Sequence, residues 1–204
     1  MKKLLSIILI AQALLIGAPI HDAVTSGNLK QLKKIIASGV SVNLPNKPYK
    51  QTPLILAVYN EHPEVVKYLL SKGANVNARM SNGQTAMFIA AYHGDIDSMN
   101  MLLTKGAKVN ISDARGNTPL HRACESGSES AATLLIEHRA KVNARNKANA
   151  TPLHIAAYMG NEEVVWVLMR HGADGSIKND EDMTPIEEAE EEDYGRIAKI
   201  IERG

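Results

Sequence analysis

The chain has 204 residues, with 23 Lys and Arg against 22 Asp and Glu, for a formal net charge of +1. That balance excludes a strongly basic protein that coats nucleic acid without regard to sequence, and a hydrophobic content of 45% excludes a disordered chain. Aromatics make up 4% and the one cysteine is Cys124, so the core must be aliphatic, and disulfides within the chain, cysteine zinc clusters and iron–sulfur clusters are excluded. At the N-terminus, Lys2 and Lys3 precede an apolar run from Leu4 to Ala18, interrupted only by Ser6, Gln12 and Gly17. A positive start, a short apolar stretch and the Ala-x-Ala site Ala11-Gln12-Ala13 read as a secretory signal over residues 1–13. The run is shorter than the roughly 20 apolar residues that span a membrane. An uncleaved anchor and a buried first helix are the alternative readings. A cleaved signal of this kind predicts bacterial export, a periplasmic or secreted protein, and only transient membrane contact.

From Ala18 onward the sequence repeats. Thr52-Pro53-Leu54, Thr118-Pro119-Leu120 and Thr151-Pro152-Leu153 have the related forms Thr85-Ala86-Met87 and Thr184-Pro185-Ile186, so the threonine recurs every 33 residues. Ala18-Pro19-Ile20-His21-Asp22-Ala23 is an earlier copy 34 residues ahead, the extra residue lying between Leu44 and Lys50. Threonine is a good N-cap and proline in the first helical position sacrifices no hydrogen bond, so each triplet predicts a helix start. Ala57, Ala90, Ala123 and Ala156 let a neighbouring helix approach closely, and Gly27, Gly94, Gly127 and Gly160 break this first helix. A second helix follows, with apolar residues three and four apart on one face: Val66/Leu69/Leu70, Met99/Leu102/Leu103, Ala132/Leu135/Ile136 and Val165/Leu168/Met169. Gly39, Gly73, Gly106 and Gly172 end it. Val42-Asn43, Val76-Asn77, Val109-Asn110 and Val142-Asn143 then predict a short extended tract before a polar turn. The units are 18–50 (divergent, N-terminal cap), 51–83, 84–116, 117–149, 150–182 and a C-terminal cap, 183–204.

Departures from the pattern are informative. Arg139 stands where glycine ends the other second helices, at a cost of about 1 kcal/mol for a left-handed residue with a side chain. Glu61-His62-Pro63 replaces the inter-helix glycine of the second unit, and Pro63 is expected to start its second helix. Asp193 holds the same glycine slot in the last unit, where Glu187, Glu188, Glu190, Glu191 and Glu192 make a polar capping face. Lys30, Lys33, Lys34, Lys47 and Lys50 make the first unit basic. Solubility of both caps and end-to-end association are alternative readings of this asymmetry.

A 33-residue helix–turn–helix–hairpin opening Thr-Pro-Leu-His, completed at His121 and His154 and closed by Gly73-Ala74-Asn75-Val76-Asn77-Ala78, resembles the ankyrin repeat over the whole stretch from Ala18. The resemblance implies an all-α fold, an L-shaped ankyrin-repeat solenoid of helix-turn-helix-hairpin units stabilised by stacking of neighbours. It implies that His21, His121 and His154 brace neighbouring turns. It also implies that non-repeating side chains on the turn tips and first-helix ends select a protein partner on the concave side. The tips carry Tyr49 and Gln51; Met80, Ser81, Asn82 and Gln84; Ala114, Arg115 and Asn117; then Lys147, Ala148 and Ala150. The helix ends carry Tyr59 and Asn60, Tyr92 and His93, Glu125 and Ser126, and Tyr158 and Met159. Tyrosine and methionine are favoured at interface cores, and Tyr59, Tyr92 and Tyr158 recur at one slot; family drift is the alternative. Trp166 faces outward, covering a neighbouring repeat or marking a second contact patch.

Nothing in the pattern calls for catalysis. His121 and Cys124 alone make a weak metal pair, and no metal or cofactor is expected. Ser126-Gly127-Ser128 is a helix-linking turn, the glycines lack the tight spacing of a phosphate loop, and the run from Glu187 to Asp193 reads as solvated cap. The sequence therefore predicts a monomeric, non-catalytic module that binds a protein client and no nucleic acid. An inhibitor or immunity protein acting on a toxin or envelope enzyme, and a host-directed effector, are alternatives on the same surface.

Overall fold

A computed structural model describes residues 19–203. The segment read as a signal, 1–13, lies outside the described residues. The described chain is all-helical, in pairs joined by short turns. Helix α1 covers 19–25 and is followed by α2 (Leu29–Ala37), α3 (Pro53–Tyr59), α4 (Pro63–Ser71), α5 (Ala86–His93) and α6 (Ile96–Thr104). Then come α7 (Pro119–Ser126), α8 (Glu129–Glu137), α9 (Pro152–Tyr158), α10 (Glu162–Arg170), α11 (Pro185–Glu191) and α12 (Gly195–Glu202). First helices stack in one layer in the order α3, α5, α7, α9, α11; second helices stack in a parallel layer in the order α4, α6, α8, α10, α12.

From α3 onward each first helix starts after the recurring threonine, which adopts extended backbone; in α3, α5 and α11 its hydroxyl accepts a free N–H of the first turn, and in α7 and α9 it contacts the Nδ1 of the histidine three residues on. Thr52 Oγ1 accepts from Ile55 N and Thr85 Oγ1 from Phe88 N, both at 3.4 Å. Prolines 53, 119, 152 and 185 sit at the first helical position. Three second helices draw caps from other side chains, Asn28 for Gln31 N, Asp95 for Ser98 N and Ser128 for Ala131 N, whereas α4, α10 and α12 have no side-chain cap bond. Pro63 starts α4, as its sequence predicts.

The glycine slots adopt the left-handed backbone, and so do the residues that replace glycine: Glu61 (φ 54°), Arg139 (φ 67°) and Asp193 (φ 62°). Gly127 is constrained twice, by its φ of 71° and by space, since a Cβ there would lie 2.7 Å from Asn161 Oδ1. That Asn161, at the start of the next unit's second helix, donates to Cys124 O at 2.7 Å. The small slot is what admits a clasp between units.

The valine–asparagine tracts correct the sequence reading. They are turns and not extended segments, and no strand occurs among the described residues. Local bonds close them: Asn77 N donates to Asn75 Oδ1 and Ala78 N to Asn75 O. The asparagines then bind the next unit. Oδ1 of Asn43, Asn77, Asn110 and Asn143 accepts from the N–H of Asn75, Lys108, Lys141 and Asp174 at 2.7–2.9 Å. Their Nδ2 atoms donate to the carbonyls of Gly73, Gly106, Arg139 and Gly172. At the turn tips a single backbone bond joins each unit to the next, from Ser81, Ala114, Lys147 and Asp180 N to Tyr49, Asn82, Arg115 and Ala148 O at 2.8–3.0 Å. Between these seams lies a continuous aliphatic core that includes Leu54, Leu69, Met87, Leu102, Leu120, Leu135, Leu153 and Leu168.

Candidate protein-binding groove

The turn tips and the first helices enclose a groove of about 590 Å³ over the fourth and fifth units. Arg115, Lys147 and Ala148 line it from the tips, and Arg122, Glu125, Ile155, Tyr158 and Met159 from α7 and α9. The histidines behind it are structural. Thr118 N and Thr151 N donate to the Nδ1 atoms of His121 and His154, and the opposite ring nitrogens donate to Ala150 O at 3.2 Å and Met183 O at 3.1 Å. His21 Nε2 differs, lying 2.9 Å from Leu44 O within its own unit. Nδ1 as acceptor fixes the neutral tautomer with the proton on Nε2. Burial pushes the His121 pKa down to about 4 and lowers that of His154. Cys124 is buried and burial raises its thiol pKa, so it is not a reactive thiolate.

Arg122 occupies a slot that is apolar in three other units, as Leu56, Ile89 and Ile155. Its guanidinium lies 4.9 Å from the Phe88 ring centroid, pairs with Glu125, and stands 3.8 Å from Asp113 Oδ2. Asp113 is itself buried. Its Oδ1 accepts from Arg115 N and Asn117 N at 2.9 Å, which fixes the tip that carries Arg115. Arg115 and Lys147 are exposed and have no ion-pair partner among the described residues.

The second and third units present a different surface. The His93 ring lies between Tyr59 and Tyr92, 5.9 Å from each centroid, with Nδ1 3.2 Å from Glu61 Oε1. Tyr59, Tyr92 and Tyr158 are 55%, 48% and 47% exposed, and Met159 is exposed beside Tyr158.

Not every tip residue singled out in the sequence is free. Tyr49 is exposed, with its carbonyl engaged by Ser81 N. Met80 is half-buried against the core. Asn82 holds Gln84 N with its side chain and Ala114 N with its carbonyl, and the Gln84 carbonyl closes its own turn onto Met80 N. Asn117 is half-buried and accepts from Asn146 Nδ2. Ala150 is buried. Conversely, Arg122, Ile155 and Asp180 belong to the groove and were not among the predicted contacts. Arg122 and Glu125 depart from the repeat together, three residues apart, and that paired departure is the signal that finds them. Among the described residues, no group of three or more His, Cys, Asp or Glu side chains is placed to share a metal ion, and no helix is long and apolar enough to cross a membrane.

A family model described as ankyrin repeats (3 copies) matches residues 20–113 and again 106–179. The chain is similar to the phosphocholine transferase AnkX of Legionella pneumophila, with 36% identity over 61 residues, 30% of this chain and 6% of that protein. Protein phosphatase 1 regulatory subunit 27 of Homo sapiens is 33% identical over 66 residues, 32% of this chain and 42% of that protein. Ankyrin repeat and SAM domain-containing protein 6 of Rattus norvegicus is 34% identical over 67 residues, 33% of this chain and 8% of that protein. The matched stretch thus spans less than half the length of each of these relatives.

Proposed function

Because this chain belongs to the ankyrin-repeat family, whose fold is a protein-interaction fold, we propose that it is a non-catalytic module that holds a protein client against its first helices and turn tips. The observation that carries the reading is the recurrence of Tyr59, Tyr92 and Tyr158 at one slot in three units, each about half exposed. A tyrosine offers a large rigid contact surface with little entropy to lose, and half-exposed rings add little to the stability of the free protein. Similarity to a protein named as a regulatory subunit supports a role exerted through another protein. The test is the double variant Tyr92→Ala/Tyr158→Ala. Client capture is expected to disappear while the melting temperature stays within a few degrees. Undiminished capture removes this face from consideration.

The apolar segment at the start of the chain supports a periplasmic or secreted location. N-terminal sequencing of the exported protein is expected to begin at Leu14, directly after Ala11-Gln12-Ala13. Loss of the segment shifts the formal charge from +1 to −1, since it carries Lys2 and Lys3.

A further inference from the structure

A second groove, of about 210 Å³, lies between the second helices α10 and α12 and shares no lining residue with the first. Its walls are Glu162 and Trp166 from α10, and Arg196, Lys199, Ile200 and Arg203 from α12 and its C-cap. Trp166 is 44% exposed. In the other second helices the equivalent positions are Lys33, Lys67, Asn100, Thr133 and Lys199, all polar. The indole therefore occupies a slot that the stack does not use for packing.

Cations surround it. Arg196, Lys199 and Arg203 follow one another at turn spacing along α12, and the Arg170 guanidinium stands 5.8 Å from the Trp166 ring centroid. The one acid in the groove, Glu162, pairs with Arg196 at 2.8 Å. Arg170, Lys199 and Arg203 have no ion-pair partner among the described residues. Helix α11, packed against α12, carries Glu187, Glu188, Glu190 and Glu191. None of those acids lines the groove, and a cleft this narrow between two helices admits a linear segment along its length, whereas the flat face of a lipid bilayer cannot enter it. The Glu162–Arg196 pair shows the kind of anion that fits here, a single carboxylate.

We propose that this groove is a second docking site, separate from the tyrosine-bearing face, which takes a linear acidic segment of a partner protein. Its carboxylates meet Arg170, Lys199 and Arg203, and one apolar side chain lies on the Trp166 indole.

Trp166 is the chain's only tryptophan, so its fluorescence reports on this groove alone. The probe is an array of short synthetic peptides in which one leucine is moved along a run of glutamates, titrated into the full chain beside counterparts made with glutamine. At least one glutamate peptide is expected to change the emission saturably. Its glutamine counterpart should bind about tenfold more weakly, as should the Arg170→Gln/Lys199→Gln/Arg203→Gln variant toward the glutamate peptide, and salt should weaken the complex. Tyr92→Ala/Tyr158→Ala should leave the titration unchanged, which separates this site from the tyrosine face. The proposal is overturned if no peptide gives a saturable change, if glutamine peptides act equally, if phosphatidylserine vesicles give the only response, or if the emission follows protein concentration alone. The glutamine comparison needs no variant and stands even if a substituted chain folds poorly.

Discussion

At the fourth position of the first-helix motif, Ile55 and Phe88 fill the slot in the second and third units, and His121 and His154 fill it in the fourth and fifth. The helices around the slot are the same. In one half the slot is closed by apolar burial; in the other, a neutral imidazole hydrogen-bonds its own helix start and the next unit's carbonyl. The surfaces differ in parallel, with Tyr59, His93 and Tyr92 grouped over one half and the Arg122–Glu125 pair between exposed cations over the other. The threonine caps and left-handed turns set the backbone period, so this slot is left free to choose its chemistry. In the fourth and fifth units that choice places inside the fold an imidazole whose pKa burial lowers.

The largest effect expected on this contrast comes from Phe88→Ala, which removes a ring only 2% exposed and the platform under Arg122. It should cost about 3–5 kcal/mol in denaturant titrations, by the same amount at pH 7 and pH 5. Next is acid. The His121 pKa is lowered on folding, so the native state binds protons less readily than the unfolded chain. Its stabilising contribution is complete above 6.5 and is lost as pH falls toward about 4, a change worth about 3 kcal/mol. His154 acts in the same direction. Unfolding measured across that window should be flatter for His121→Gln than for the parent chain, and hydrogen exchange should place the loss in α7 to α10. A loss shared equally by α3 to α6 would erase the contrast between the halves.

A smaller pair of effects tests the turn backbone. Gly106 and Arg139 hold the same slot, at φ 81° and 67°, and a Cβ on Gly106 would meet nothing within 4 Å. Gly106→Ala should therefore destabilise by about 1 kcal/mol through backbone strain alone, and Arg139→Gly should stabilise by a similar amount. The smallest effect is a coupling. Arg122→Leu/Glu125→Tyr installs the pattern of Leu56 and Tyr59, and the double variant should be more stable than its single variants imply by about 0.5–1 kcal/mol in a double-mutant cycle.

Caps and left-handed turns were legible in the sequence because each depends on one residue and its near neighbours: Thr52 on Ile55, or Glu61 on its own φ. The turn at Asn77 was not, because β-branched Val76 beside a polar residue suggests extended chain, and what decides otherwise includes a bond to Lys108 in the next unit. The exposed tyrosines stood out because they recur where no core requires them. Met80 and Asn117 looked like free tips, but their side chains fold back onto the core and onto Asn146, contacts that a 33-residue period does not encode. Arg122 was hidden for the opposite reason, since its partners Phe88 and Asp113 belong to the unit before it.

The seams between units have a mechanical consequence. Each of the four asparagine-bearing turns clasps the following unit, and each tip contributes one backbone bond. Pulled from its two ends, the stack is loaded across these seams in series, so tension is relieved by peeling one unit at a time from an end. Release of a full unit frees 33 residues, about 110 Å of extended chain, and the C-terminal cap is shorter. The force record of such a molecule is a staircase whose full-unit treads are equal in length, and the step that yields at the lowest force identifies the seam that a client would have to hold closed.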